Sequence, residues 1–166
     1  MTATIDAAHL WVGAAIRNQD DTVELDELLK LDAAVHFVVA EPLLGPIDFG
    51  DRLGPDKINW VIVGGECGAN ARPTHPRWVI DIRDQCEAAG VAFFFKQWGE
   101  WAPGHALSDQ GVMTEPTAER VRLVTPAPNE HGRKNIGRNV YRVGWKAAGR
   151  LLKKRTWDEF PKGVTG

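Results

Sequence analysis

Ile58-Asn59-Trp60-Val61-Ile62-Val63 runs straight into Gly64-Gly65-Glu66-Cys67-Gly68, and this junction decides how the rest of the chain is read. An apolar run rich in branched and aromatic residues and closed by glycines reads as a buried strand entering a tight turn. Pro76 then suits the first turn of a helix whose apolar residues Trp78, Val79, Ile82, Cys86 and Ala89 recur every three or four positions. Gly90 reads as its stop, and Val91 to Phe95 as a second strand leading into Lys96-Gln97-Trp98-Gly99. Strand, helix and strand in that order make a βαβ unit, which requires the two strands to be parallel.

The same alternation extends toward the N-terminus. Leu10 to Ile16 is a first apolar run, Asp21 and Thr22 offer caps for a helix carrying Val23, Leu25, Leu28 and Leu29, and Val35 to Ala40 is a strand. Glu41-Pro42-Leu43-Leu44-Gly45-Pro46 ends that strand in a loop, because prolines neither continue a helix nor pair in a central strand. The expected fold class is α/β, with a four-stranded mainly parallel sheet in a single domain over residues 1–166. Residues 103–137 read as an irregular insertion, with Arg120 to Val124 a short strand inside it. Residues 138–155 read as a basic amphipathic helix. Val140, Val143, Ala147 and Leu151 form its apolar side, and Arg142, Lys146, Arg150 and Lys154 a cationic stripe at four-residue spacing.

Composition bounds the function. A chain of 166 residues, 43% hydrophobic and 25% charged, has the profile of a globular domain rather than a disordered or fibrous one. No run approaches the ~18 apolar residues needed to cross a bilayer, and the N-terminus lacks the order of a secretion signal, so a cytoplasmic protein is expected, without a membrane partner. Two distant cysteines, Cys67 and Cys86, make neither a disulfide framework nor a four-cysteine zinc site, and the histidines show no paired spacing; no metal is assigned. Charge is split unevenly: residues 131–166 hold ten of the 20 Lys and Arg but only two of the 22 acids. Opposed halves of this kind attract each other within one fold, or the basic end faces an anionic partner.

Ligands of parallel α/β folds bind outside the carboxyl ends of the strands. There this sequence places Arg17 and Asn18 after the first strand, Glu41 after the second, Glu66 after the third, and Lys96 with Gln97 after the fourth. Together they would line one polar pocket, with Glu41 and Glu66 as a carboxylate pair or as acceptors of loop N–H groups, and Lys96 expected to pair with a glutamate. The Gly-Gly turn is expected to let backbone N–H groups approach a ligand. Arg72 and His75 precede a helix N-terminus, where an anion would be favoured; equally, Thr74 reads as a helix cap with His75 as an exposed flank. For nucleic acid the candidates are Arg133, Lys134, Arg138, Arg142, Lys146, Arg150 and Lys154. Trp98, Trp101, Trp145 and Trp157 would stack on bases or, as the frequency of buried aromatics favours, fill the core. No nucleophile and base stand out as a pair.

Four ordered segments carry a family resemblance: Val39-Ala40-Glu41-Pro42-Leu43-Leu44-Gly45-Pro46-Ile47, Trp60 to Glu66, Ala71-Arg72-Pro73-Thr74-His75-Pro76, and Phe94-Phe95-Lys96-Gln97-Trp98-Gly99. With Arg142 to Leu152 and Trp157-Asp158-Glu159-Phe160-Pro161, the chain resembles the C-terminal part of an uncharacterised, bacteriophage-enriched family of radical S-adenosylmethionine-like proteins. The resemblance implies the latter half of a partial TIM-type barrel, a host-cell cytoplasmic location if phage-encoded, and a truncated protein. S-adenosylmethionine and a 4Fe–4S cluster are implied only if a missing N-terminal portion with its cysteine cluster is supplied. Autonomous radical catalysis is therefore not expected of a chain with two cysteines. Two functions follow as expectations. One is a strand-end pocket for a small anionic or nucleoside-like ligand, in a half-barrel completed by a second copy or an N-terminal partner. The other is a non-catalytic nucleic-acid module built on the basic helix.

Overall fold

The computed structural model describes residues 9–112, 119–123 and 138–162. Its main sheet has four parallel strands in sequence order: β1 (Trp11–Ala15), β2 (Val35–Ala40), β3 (Ile58–Gly64) and β4 (Ala92–Gln97). Between β1 and β2 lie a 3-10 turn, Gln19–Val23, and the one-turn helix α1 (Glu24–Leu28). Between β3 and β4 lies α2 (Pro76–Ala89). The α/β expectation holds.

α2 begins and ends for local reasons. Pro76 occupies the first turn, and the preceding His75 accepts the Arg77 N–H at 3.0 Å through Nδ1. At the other end Val91 N–H reaches back to the Cys86 carbonyl at 2.9 Å, satisfying a carbonyl the helix leaves free. Its inner side, Val79, Ile82 and Cys86, is fully buried against a sheet face made of Val38, Ala40, Val61, Val63, Phe93 and Phe95. Each such side chain contributes about 1.5–3 kcal/mol through burial. The alternation of a strand puts the intervening residues on the opposite face. There Trp60 gathers Trp11, Phe37, Phe94 and Phe160, with ring centroids 5.8, 6.0, 6.4 and 5.1 Å away.

The two sheet edges differ. On β4, Phe95 N–H donates to the Trp157 carbonyl at 2.9 Å, Phe94 bridges antiparallel to Asp158, and Glu159 returns a bond to the Phe93 carbonyl at 3.3 Å. On β1, Leu10 and Ile16 turn their backbone groups to β2, so by alternation those of Trp11, Gly13 and Ala15 face away from it. No strand pairs with that side among the described residues.

The expectations fail beyond β4. Residues 138–155 are not one helix: β7 (Arg138–Arg142) is the middle strand of an antiparallel sheet between β5 (Trp101–Pro103) and β6 (Arg120–Leu123). Only α4 (Trp145–Ala148) is helical, and Gly144 and Gly149, at φ 81° and 63°, bound it on both sides. Val140 does enter the interior, but as the inward residue of a strand. The three- and four-residue spacing of Val140, Val143, Ala147 and Leu151 is coincidental, and the two glycines are the stronger signal. The expected irregular insertion, residues 103–137, holds the last residue of β5, α3 (Gly104–Asp109) and β6 among its described residues. Of the tryptophans, Trp98, Trp101 and Trp157 are buried and Trp145 is exposed.

Candidate site at the carboxyl ends of the parallel strands

Glu41, the first residue beyond β2, is the centre of the site. Lys96 Nζ donates to its Oε2 at 2.9 Å and Gln97 Nε2 to its Oε1 at 3.0 Å. The same Gln97 amide also donates to the Gly65 carbonyl at 3.0 Å and lies 3.5 Å from Cys67 Sγ. The expected lysine–glutamate pair is therefore present, with the carboxylate side chain 21% exposed and the lysine 54%. At that exposure the ion pair adds little to stability. Its effect is positional, because it fixes a carboxylate, an ammonium with further N–H groups to give, and an amide at the tips of β2 and β4, across the end of β3 between them. Gln97 Oε1 is buried and accepts no hydrogen bond among the described residues.

Glu66 forms the second part. Arg72 donates to it three times, from its backbone N–H at 2.6 Å, from Nε at 2.8 Å and from a terminal nitrogen at 2.6 Å. The guanidinium, with the backbone bond, holds the Glu66 carboxyl down to about 2. Glu41 and Glu66 are thus not a carboxylate pair sharing a proton; each is neutralised by its own cation.

The glycines of the turn serve packing rather than a ligand. Gly65 N–H donates to the Gln97 carbonyl at 3.0 Å, and Glu100 N–H to the Glu66 carbonyl at 2.9 Å. A Cβ on Gly65 would lie 1.9 Å from the Trp98 carbonyl oxygen, and one on Gly99 2.2 Å from that of Glu66. The turns after β3 and β4 interlock backbone to backbone, which only glycine permits. A Cβ on Gly64 would meet the Glu41 carboxylate at 2.8 Å, so Glu41 can lie over β3 only because Gly64 has no side chain.

The other expected members are near but engaged locally. Arg17 donates to Asp21 from its backbone at 2.8 Å and from Nε at 3.1 Å, and the Asn18 side chain caps the 3-10 turn by accepting the Asp20 N–H. The hydrogen bond and charge of Asp21 raise the Arg17 pKa. His75 is buried rather than an exposed flank, and it is the helix cap; Thr74 instead donates to the Leu43 carbonyl at 2.9 Å. Two residues join that sequence reasoning left out of the pocket. Glu100 accepts the Gly68 N–H at 3.2 Å, and Arg142 donates to the carbonyls of Gly68 and Ala69 while its guanidinium lies over Trp101. The position of Glu100 just after Lys96-Gln97 was a usable signal; nothing local marks Arg142.

Cys67 is the exposed thiol of this site. Burial, then the nearby charges of Glu100 and Glu41, push its pKa up, which keeps it protonated at neutral pH and unsuited to nucleophilic attack. Cys86 is buried beneath the sheet, where desolvation pushes its thiol up strongly. A cluster held by cysteine thiolates does not fit this donor set, which offers one inert core thiol and one surface thiol. Among the described residues no three His, Cys, Asp or Glu side chains are grouped to hold a metal ion. No reaction step through such a cluster follows from these residues.

The nucleic-acid candidates disperse once the helix is replaced. Arg142 supports the site wall and pairs with Glu119 at 3.6 Å, and Arg150 pairs with Asp158 and lies over Phe94. Arg138 opens β7, Lys146 lies over Trp145, and Lys154 is in a turn. Arg133 and Lys134 lie outside the described residues.

An α/β protein with a parallel sheet, its polar residues gathered at the strand ends, and a second, antiparallel sheet is the class these observations define. The chain belongs to the family described as Protein of unknown function (DUF5131), whose model matches residues 2–161. Comparison with curated proteins and with solved structures gives no match. Among the described residues no helix is long and apolar enough to cross a membrane.

Proposed function

We infer that this chain is a ligand-binding half of a barrel-like unit, in which Glu41, Lys96 and Gln97 receive a small anionic or nucleoside-like molecule. The observation that carries the reading is the convergence of those three side chains, from the ends of β2 and β4, on the rim of a sheet whose β1 edge has no strand beside it among the described residues. Lys96 supplies a half-exposed positive charge for an anionic group, and Gln97 Oε1 a buried acceptor that a ligand N–H or O–H would satisfy. The bare β1 edge favours completion by a second copy or by a separate N-terminal half. The resemblance to radical S-adenosylmethionine-like proteins of phages favours a nucleoside-type ligand, in a host-cell cytoplasmic setting, and the two cysteines favour a role without radical formation by this chain.

Isothermal titration with nucleosides, nucleoside monophosphates and S-adenosylhomocysteine tests the reading, on the wild type and on Lys96→Gln. Binding by one of these that weakens about tenfold in Lys96→Gln, roughly the 1.4 kcal/mol of one charge-assisted contact, is the expected result. No binding by any of them, alone or with the product of the neighbouring upstream gene, would refute it.

A further inference from the structure

Leu152 and Arg155 bond each other reciprocally, at 3.0 and 3.4 Å, and so close a two-residue hairpin around Lys153 and Lys154. Both lysines have positive φ, 52° and 66°, and they are the only described residues other than glycine that do. A hairpin turn left-handed at both central positions is normally filled by Asn-Gly, because a larger side chain is strained there. Lys-Lys is an unfavourable choice for folding.

The stem nevertheless holds it firmly. Trp98 Nε1 donates to the Leu151 carbonyl at 3.0 Å and Trp157 Nε1 to the Leu152 carbonyl at 3.1 Å, so two indoles clamp the chain as it enters the turn. Beyond it, Arg155 lies 3.7 Å over the Trp157 ring and pairs with Glu159 at 3.7 Å. Lys153 and Lys154 are exposed and form no ion pair among the described residues. Strained backbone over-determined by its surroundings concentrates where a side chain must be presented for function. What is presented here is two consecutive exposed lysines on a backbone held in place, which lowers the ordering cost of gripping an anion.

The geometry points to this turn as a contact for the phosphodiester backbone of nucleic acid. Lysine ammoniums suit phosphate as compact charges with several donors. The turn's own apolar neighbours Leu152 and Trp157 are buried and held in the fold rather than free to insert into a lipid surface. The same C-terminal segment carries Lys146 and the exposed indole of Trp145, a face on which a base can stack. This surface is independent of the strand-end site, and it replaces the helical stripe read from sequence, two of whose arginines are used inside the fold.

The test exploits the strain. In Lys153→Asn/Lys154→Gly the turn becomes the favoured one, so the melting temperature should rise by about 2–4 °C. Affinity for a fluorescein-labelled 20-base-pair DNA duplex should fall, and the slope of log affinity against log salt should drop by about two. Lys153→Gln/Lys154→Gln keeps the strained backbone and removes the charge; it should lose the same affinity with no rise in melting temperature. Unchanged duplex affinity in both variants, no duplex binding by the wild type, or equal competition by polyglutamate would overturn the assignment.

Discussion

The two edges of the parallel sheet have opposite fates. β4 is sealed by Trp157–Glu159, which returns along it in antiparallel sense, whereas β1 presents the backbone groups of Trp11, Gly13 and Ala15 to no strand among the described residues. Nor does β1 carry the charges, prolines or bulge by which exposed edges are usually blunted. An edge sealed by the chain's own C-terminal segment makes a stable boundary, while an apolar edge unpaired among the described residues has pairing capacity to spare. The strand-end cluster joins the two, since Lys96 and Gln97 come from the sealed strand and Glu41 from the strand beside the bare one.

The contrast is broken most severely at the sealed edge. Trp157 is buried, packs edge-on to Phe93 and anchors the turn before it, so Trp157→Ala should cost about 3–5 kcal/mol in urea unfolding. In the same variant, exchange at the Phe95 amide should accelerate. The bare edge should respond in the opposite way: Ala15→Lys, on an exposed residue, should change stability by no more than about 0.5 kcal/mol. It should nevertheless abolish any self-association, or association with an N-terminal partner, seen by light scattering. A smaller effect is expected of Glu66. Its pKa is lowered from 4.5 to about 2 by Arg72, so its stabilising contribution is complete above about pH 4.5 and fades as pH falls from there toward 2. Thermal melts across that window should show a shallower loss for Glu66→Gln than for the wild type; parallel losses would mean the pair contributes nothing.

The parallel sheet is more legible in sequence than the antiparallel one. β2 and α2 appear with the bounds that periodicity, Pro76 and Gly90 imply, because burial on one face forces a pattern local enough to read. β7 was misread since a short edge-to-middle strand with one inward residue, Val140, leaves too little alternation to outweigh a chance helical spacing. The site divides similarly. The expectation that Lys96 would pair with a glutamate held, but that the partner is Glu41 rather than Glu66 depends on a contact spanning 55 residues. The role of Gly64 and Gly65 in admitting Glu41 and the Trp98–Gly99 turn is equally non-local. The burial of His75 could not be inferred from its neighbours, which read as a surface loop.

Residue-resolved amide exchange on the isolated chain tests the contrast between the two sheet edges, and with it the proposed half-barrel, most directly. The account predicts fast exchange at Trp11, Gly13 and Ala15 beside slow exchange at Phe93 and Phe95, and slowing at the first three when a second copy or an N-terminal partner binds. Strong protection of all five amides in a chain shown to be monomeric would contradict it.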